Sequence, residues 1–289
     1  MKMPYKIQRI DINSSEFPAR LREIPDPPKQ LYCMGDISLL HTDSVSVVGS
    51  RKYTLYGKTI ATMIGKRLGE CGIPVVSGLA YGIDAFSHEG ALSAGGKIIG
   101  VLPGGLNHIV PVRNRDLMMR GIDAGGLAVT EYEPDMHAEK YTYPRRNRII
   151  SGLGMCTAVV EANVNSGSLI TAQHAMEQGR PVYAVPGNIN SQFSIGCNLL
   201  LRDGASPLVV IDDLVRCIGM DPAGVNESVS KLGDDEKKIF DAVQKYNGAV
   251  PDRIAEDTGM TAASVNALVT VMEIKGIFQT YAGKIYIAC

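Results

Sequence analysis

At 289 residues and 45% hydrophobic, the chain is long enough to bury a large core, in one domain or two. Its 29 Lys and Arg residues are balanced by 30 Asp and Glu, so it is no polycation, and any anion site has to come from a local patch. Six cysteines without a C-x-x-C pair argue against a zinc ribbon or a redox motif and for reduced thiols, and the lack of an apolar h-region or of about 18 uninterrupted apolar residues predicts a cytoplasmic protein.

Residues 1–43, with the proline-rich stretch "FPARLREIPDPPKQLYCMGD" at 17–36, read as an N-terminal arm packed on the domain that follows. From 44 to 218 one grammar repeats: a short β-branched run ends at glycine or a small polar residue, and a helical stretch follows. The runs are "VSVVGS" (45–50), "IPVVSG" (73–78), "KIIGVLPGG" (97–105), "GLAVTEY" (126–132), "CTAVVEA" (156–162), "PVYAVPG" (181–187) and "PLVVI" (207–211). Seven strands alternating with helices predict an α/β fold, an extended Rossmann-like, doubly wound, mostly parallel sheet covered on both faces. Ligands of such sheets bind at the carboxyl ends of the strands.

The first strand runs into "VVGSRKYTLYGKT". Gly49 permits a tight turn, Ser50 and Arg51 offer polar contacts to a phosphate, and the helix beginning near Thr54 aims backbone N–H groups at the same place. Neither G-x-G-x-x-G nor G-x-x-x-x-G-K-[ST] is present, which weakens a nicotinamide or ATP reading. Gly49 alone is equally well a strand-to-helix turn. After the second strand, Asp84 and His88 lie four apart on one helical face, but no third metal ligand follows, so Asp84 reads as a helix cap and His88 as a hydrogen-bonded packing residue. Ser166, Gly167 and Ser168 precede another helix, as an N-cap or a second phosphate cradle.

Between the fourth and fifth strands stands "YTYPRRNRII" (141–150). Cations in the first turns of a helix oppose its dipole by about 0.3–1 kcal/mol each, so Arg145, Arg146 and Arg148 there call for an anion. Lys140, Tyr141 and Tyr143 interleave charge with flat rings, as a single-strand platform requires. The alternative is internal pairing with Glu131, Glu133 or Glu161, expected above all for Arg148.

Residues 219–233 read as a linker, and 234–289 as three short helices and a hairpin around Ala282-Gly283, the outline of a winged helix. The third of these helices offers only Lys275 as a cation, and the segment is slightly acidic, which disfavours duplex binding.

The motifs "VVGSRKYTLYG", "VVSGLAYGIDAFSHEGAL", "VLPGGLNHIVPVRNRDL", "YPRRNRIISGL", "VEANVNSGSLITAQHAMEQGRPVYAVPG" and "GCNLLLRDGA", in order over about 17–212, resemble the DprA (Smf) family of DNA-processing proteins. The resemblance implies a homodimer that binds single-stranded DNA without sequence preference, protects incoming DNA in natural transformation and loads the RecA recombinase onto it. It implies no catalysis, no cofactor and no metal. By motif position the DNA-contacting arginine falls on Arg51 and the lysine on Lys140, while Tyr143 stands where phenylalanine is usual. Gly49, Ser50, Ser166, Gly167 and Ser168 occupy the matching loop positions, and Arg145, Arg146 and Asn147 complete the candidate DNA-binding set. The helical N-terminal domain of many members has no counterpart among these residues, and the C-terminal segment matches the small domain many carry.

Two other readings compete. "LPGGLNH" superficially resembles the P-G-G-x-G-T loop of nucleoside monophosphate phosphoribohydrolases, although Leu106-Asn107-His108 replaces x-G-T and no paired glutamates follow. A winged-helix regulator with a ligand-sensing α/β domain is the other.

Overall fold

The computed structural model describes residues 5–222, 232–246, 248–274, 277–281 and 283–287. Six of the seven β-branched runs become strands, β3 (Val45–Val48), β4 (Val75–Ser77), β5 (Ile98–Val101), β6 (Leu127–Thr130), β7 (Cys156–Val159) and β8 (Val182–Ala184), while of the seventh, 207–211, only Pro207 pairs, in the two-residue β9 (Ser206–Pro207). They pair in parallel in the order β6-β5-β4-β3-β7-β8-β9. Residues of β3 through β7 are buried on both faces, which is why these runs are continuously apolar rather than alternating.

The N-terminal segment is not an arm laid on the sheet. It enters the sheet as β1 (Gln8–Asp11) and β2 (Gln30–Gly35), both antiparallel, with β2 paired to β6. The prolines at 18, 25, 27 and 28 fall in the connection between the two strands, where no ladder hydrogen bond is needed. Leu31, Tyr32, Cys33 and Met34 of β2 are buried.

Two helical layers follow from right-handed crossovers on either side of β3. On one face α2 (Leu55–Glu70), α3 (Ile83–Ser93) and α4 (Arg115–Asp123) pack in succession; on the other, α5 (Thr142–Leu153) packs with α1 (Ala19–Arg22) and α6 (Gly167–Glu177). The α2–α3 contact is unusually close. A Cβ on Gly65 would stand 1.9 Å from the Ser87 carbonyl oxygen, and one on Gly90 2.2 Å from that of Thr62. The chain continues through α7 (Ile195–Arg202) and α8 (Asp212–Cys217), whose start is tied to α2 by the Arg67–Asp212 ion pair at 2.6 Å.

His88, on α3, is fully buried, and neither ring nitrogen has a hydrogen-bond partner of good geometry. That corrects the expectation of a hydrogen-bonded packing histidine. Burial drives its pKa down to about 4, only partly offset by the Val75 backbone.

Residues 221–289 form a second compact unit. Helices Asp234–Lys245, Pro251–Thr258 and Ala262–Ile274 precede a ribbon of Phe278–Tyr281 and Lys284–Ile287, with Tyr281 opposite Lys284. Ile239, Phe240, Ile254, Val265, Met272 and Phe278 build its core. The order of elements is the one read from the sequence. Lys275, Ala282 and most of the 219–233 linker lie outside the described residues. No helix among the described residues is long and apolar enough to cross a membrane.

Candidate functional site

The sheet changes direction at β3: the chain runs outward through β4, β5 and β6, then returns to β7 on the other side of β3. The crevice this leaves at the strands' carboxyl ends is where such sheets bind ligands. A pocket of about 340 Å³ opens there.

Four separate segments form its wall: Gly49, Ser50 and Arg51 after β3; Ala80 and Asp84 after β4; Tyr143, Arg146 and Asn147 at the start of α5; and Ser166, Gly167 and Ser168 at the start of α6. The structure thus gathers nine of the eleven residues singled out in the sequence. Lys140 and Arg145 are exposed and are not in the pocket wall. Lys140 stands in the turn just before α5, and Arg145 has its Nε 3.7 Å from a Glu131 carboxylate oxygen.

Each loop is held from beneath. The Ser50 amide donates to the Glu161 carbonyl at 2.7 Å, tying the end of β3 to the end of β7. The buried Glu161 carboxylate accepts from the Thr54 amide at 3.0 Å and from its hydroxyl at 2.5 Å, so it answers the N-terminus of α2 and not an arginine. Gly49 is required by packing, because a Cβ there would lie 2.7 Å from the Ile83 side chain. A Cβ on Gly167 would meet nothing within 4 Å. The Ser166 hydroxyl accepts from the Ser168 amide at 3.4 Å as the N-cap of α6, and it lies 2.7 Å from the Ser168 hydroxyl. The N-cap reading of that loop is therefore correct, and the capped helix end still faces the pocket. Backbone N–H groups at such an end favour an anion.

The three arginines divide their labour. Arg148 is buried and forks onto Glu131 at 2.7 and 2.9 Å, with Asp26 at 2.9 Å, and donates to no group in the pocket. Arg146 is also buried. Its guanidinium donates to the Gly78 carbonyl at 2.9 Å and to the Val101 carbonyl, closing the ends of β4 and β5 under the pocket floor. Gly78 makes room for it, since a Cβ there would lie 2.3 Å from the guanidinium. Burial lowers the Arg146 pKa to about 10, opposed by the nearby Asp84, and burial in turn raises that of Asp84. Arg148 thus pairs internally with Glu131, as its sequence position led one to expect, and Arg146, read from the sequence as ligand-facing, is spent largely on internal carbonyls as well. Arg145 is exposed and reaches the same Glu131 carboxylate at 3.7 Å.

Asp84 does not cap its own helix. Its carboxylate accepts from the amides of Gly78 and Ala80 at 3.1 and 3.3 Å, while Asn114 donates to the Leu79 and Ala80 carbonyls at 2.9 and 3.0 Å. Between them they fix a loop in which Leu79 adopts φ +55, a left-handed conformation costing about 1–3 kcal/mol for a non-glycine residue.

Arg51 is exposed, and its guanidinium carbon lies 5.3 Å from the centroid of the Tyr143 ring, a cation–π contact that joins the β3 loop to α5. The sequence reading passed over Lys52, Asn163 and Asn165, which also line the pocket, and the rings of Tyr53 and Tyr81, 44% and 43% exposed beside its loops. Their signal was present in "SRKY", "LAYG" and "ANVN" but became meaningful only once the loops were adjacent. The arrangement presents an anion cradle flanked by flat aromatic surfaces.

Residues 8–219 match the family described as DNA recombination-mediator protein A. The chain is 39% identical to DNA processing protein DprA of Bacillus subtilis over 72% of its own length and 70% of that protein's, and 42% identical to DprA of Streptococcus pneumoniae over 69% and 70%. It is 41% identical to protein Smf of Escherichia coli, of which it covers 52%. The X-ray structure of S. pneumoniae DprA superposes with a TM-score of 0.68 at 38% identity, covering 73% of this chain and 74% of that one. A structure of Helicobacter pylori DprA, reported for that protein's single-stranded DNA binding mode, gives 0.66 at 31% identity over 75% and 97%. Sequence match and fold agree over most of the sheet unit, and the chain belongs to the DNA recombination-mediator protein A (DprA/Smf) family of DNA-processing proteins.

Proposed function

We propose that this protein binds single-stranded DNA without sequence preference at the β3/β7 crevice, as a binding protein and not an enzyme. The observation that carries the reading is the convergence of Arg51, the N-terminus of α6 and the Tyr143 ring on one pocket. Phosphates sit against Arg51 and the loop N–H groups of the Ser50 and Ser166–Ser168 segments. Bases stack on Tyr143 and, along the strand's path, on Tyr53 and Tyr81, a mode open to any base because every base has a π-face. Arg146 adds positive potential from beneath, and Lys140, Arg145 and Asn147 extend the basic surface around α5. The H. pylori relative supports this reading, since its structure is reported for single-stranded DNA binding.

From family membership the reading extends to a cytoplasmic homodimer that shields incoming DNA in natural transformation and hands it to RecA. Two sites on one dimer raise avidity on a continuous strand. The C-terminal unit is assigned to a winged helix that serves a protein contact.

The test is fluorescence anisotropy of labelled oligo-dT with the parent protein and Arg51→Ala, across a salt series and with duplex competitor. Tight, salt-sensitive binding that prefers single strand and is lost in the variant supports the assignment. Equal binding by Arg51→Ala refutes the site, and no binding at low salt refutes the function. Release of free base from nucleoside monophosphates would instead favour the phosphoribohydrolase reading.

A further inference from the structure

No residue of the "LPGGLNH" stretch after β5 lines the pocket, yet it is built closely against the segment that leads into α5. The Gly105 amide donates to the Met136 carbonyl at 2.8 Å and that of Asn107 to the Pro134 carbonyl at 2.9 Å, while the Asn107 side chain donates to the Asp135 carboxylate at 2.6 Å. Both glycines are required by this approach. A Cβ on Gly104 would lie 2.8 Å from the Ala138 amide nitrogen, and one on Gly105 2.2 Å from the carbonyl oxygens of Glu133 and Pro134.

In this clasp the rings of His108 and His137 stack, with centroids 3.9 Å apart and planes inclined by 29°. His137 is exposed and His108 half-buried, and among the described residues neither imidazole has a hydrogen-bond or ion-pair partner. Because β5 and β6 run parallel to β3 and β4, the clasp leaves the sheet at the same edge as the pocket. Arg146, on the pocket wall, donates to the Val101 carbonyl at the end of β5, and His137 lies three residues, at most about 11 Å of chain, before Lys140. The charged groups of the clasped segments are Glu133, whose carboxylate accepts from the Tyr32 hydroxyl at 2.6 Å, Asp135, engaged by Asn107, and Glu139 and Lys140, with Arg113 and Arg115 farther along the loop. β2 and β6, against which the 106–108 turn packs, carry no Asp, Glu, Lys, Arg or His, and their titratable Tyr32 and Cys33 are pushed up by burial.

We propose that His108 and His137 together bind a phosphate of the DNA strand as it leaves the pocket past Lys140, and take up a proton in doing so; this deepens, and rests on, the single-strand reading above. Imidazole is the side chain that gains its charge between about pH 5 and 8, whereas a phosphodiester stays ionised throughout. Two imidazolium rings at this separation repel, so both are charged only where an anion lies across their N–H edges, and the phosphate supplies it. The clasp fixes the rings before the strand arrives, so little ordering is lost on binding. Strand and proton therefore strengthen each other's binding, and affinity rises as pH falls.

The test is anisotropy of labelled oligo-dT with the full-length protein from about pH 8 to pH 6 in phosphate-free buffer, with a salt series at each end. Parent affinity is expected to rise by up to about tenfold, the effect of one proton held tenfold more tightly in the complex, and the slope of log K against log salt to steepen by about 0.7 per cation gained. Both responses are lost in His108→Gln/His137→Gln, whereas His137→Lys, whose cation persists, keeps the steeper slope at the alkaline end. Melting curves at each pH verify that the variants are folded. His88 titrates at about 4, below this window, and His41 and His174 are present in every variant. An equal pH response by parent and double variant overturns the proposal, as does a parent whose binding ignores pH. A parent that binds at no pH refutes the single-strand reading itself, and the proton linkage falls with it.

Discussion

Replacing Arg146 by methionine separates an internal role for this arginine from a ligand-binding one. The guanidinium is buried, satisfies the Gly78 and Val101 carbonyls and offsets the buried Asp84 carboxylate. Methionine keeps much of the volume but leaves that charge uncompensated, and breaking a buried charge pair from one side costs about 3–5 kcal/mol. For a unit of about 220 residues, where 1 kcal/mol moves the melting midpoint by roughly 2–4 °C, the drop is on the order of 6–20 °C. Thermal melts followed by circular dichroism at pH 7 read it directly. The double variant Asp84→Asn/Arg146→Met recovers part of the loss, because no stranded charge remains, with a coupling of roughly 0.5–3 kcal/mol. A single variant that melts within a degree or so of the parent refutes the internal role. If that variant also lost oligo-dT binding, Arg146 would be a DNA contact and little else.

Tyr143→Leu is expected to weaken oligo-dT binding by about 1–3 kcal/mol, with Tyr143→Phe close to parent, in anisotropy titrations. Gly90→Val forces α2 and α3 apart and is expected to cost about 1–3 kcal/mol or more in urea unfolding, the loss arising from overpacking. The His88 imidazole titrates at about 4 in the folded chain, against about 6.5 when unfolded. The unfolded state therefore binds the extra proton first, so stability is complete above pH 6.5 and falls as pH drops toward 4, by up to about 3 kcal/mol. His88→Leu is expected to flatten urea midpoints across that window, and an unchanged slope would show that other groups set it.

The strands were legible because each central run is apolar throughout and ends at a small residue, which is what burial on both faces and a turn into a helix demand. β2 was missed because its apolar core "LYCM" follows four prolines within eleven residues, and proline density masked a strand that begins just after them. The positions of Gly49, Ser166 and Gly167 were readable from local turn and cap chemistry. The pairing of Arg148 with Glu131 was among the alternatives read from the sequence, but the burial of Arg146 was not. Asp26 and Asp84 are distant in sequence or belong to other loops, and no local spacing reveals that they converge on α5.

The return of the chain to β3 imposes an order on biosynthesis. The β4 partner of β3 is synthesised soon after it, whereas the partner of its other edge, β7, is synthesised about a hundred residues later. Until then a nascent chain carries an open, apolar strand edge, a template for pairing with another chain. The pocket cannot exist earlier either, because two of its walls flank β7. If the pocket binds DNA as proposed, that affinity arrives only once β7 and the α6 start are in place, and an interrupted translation product would be adhesive and inactive together.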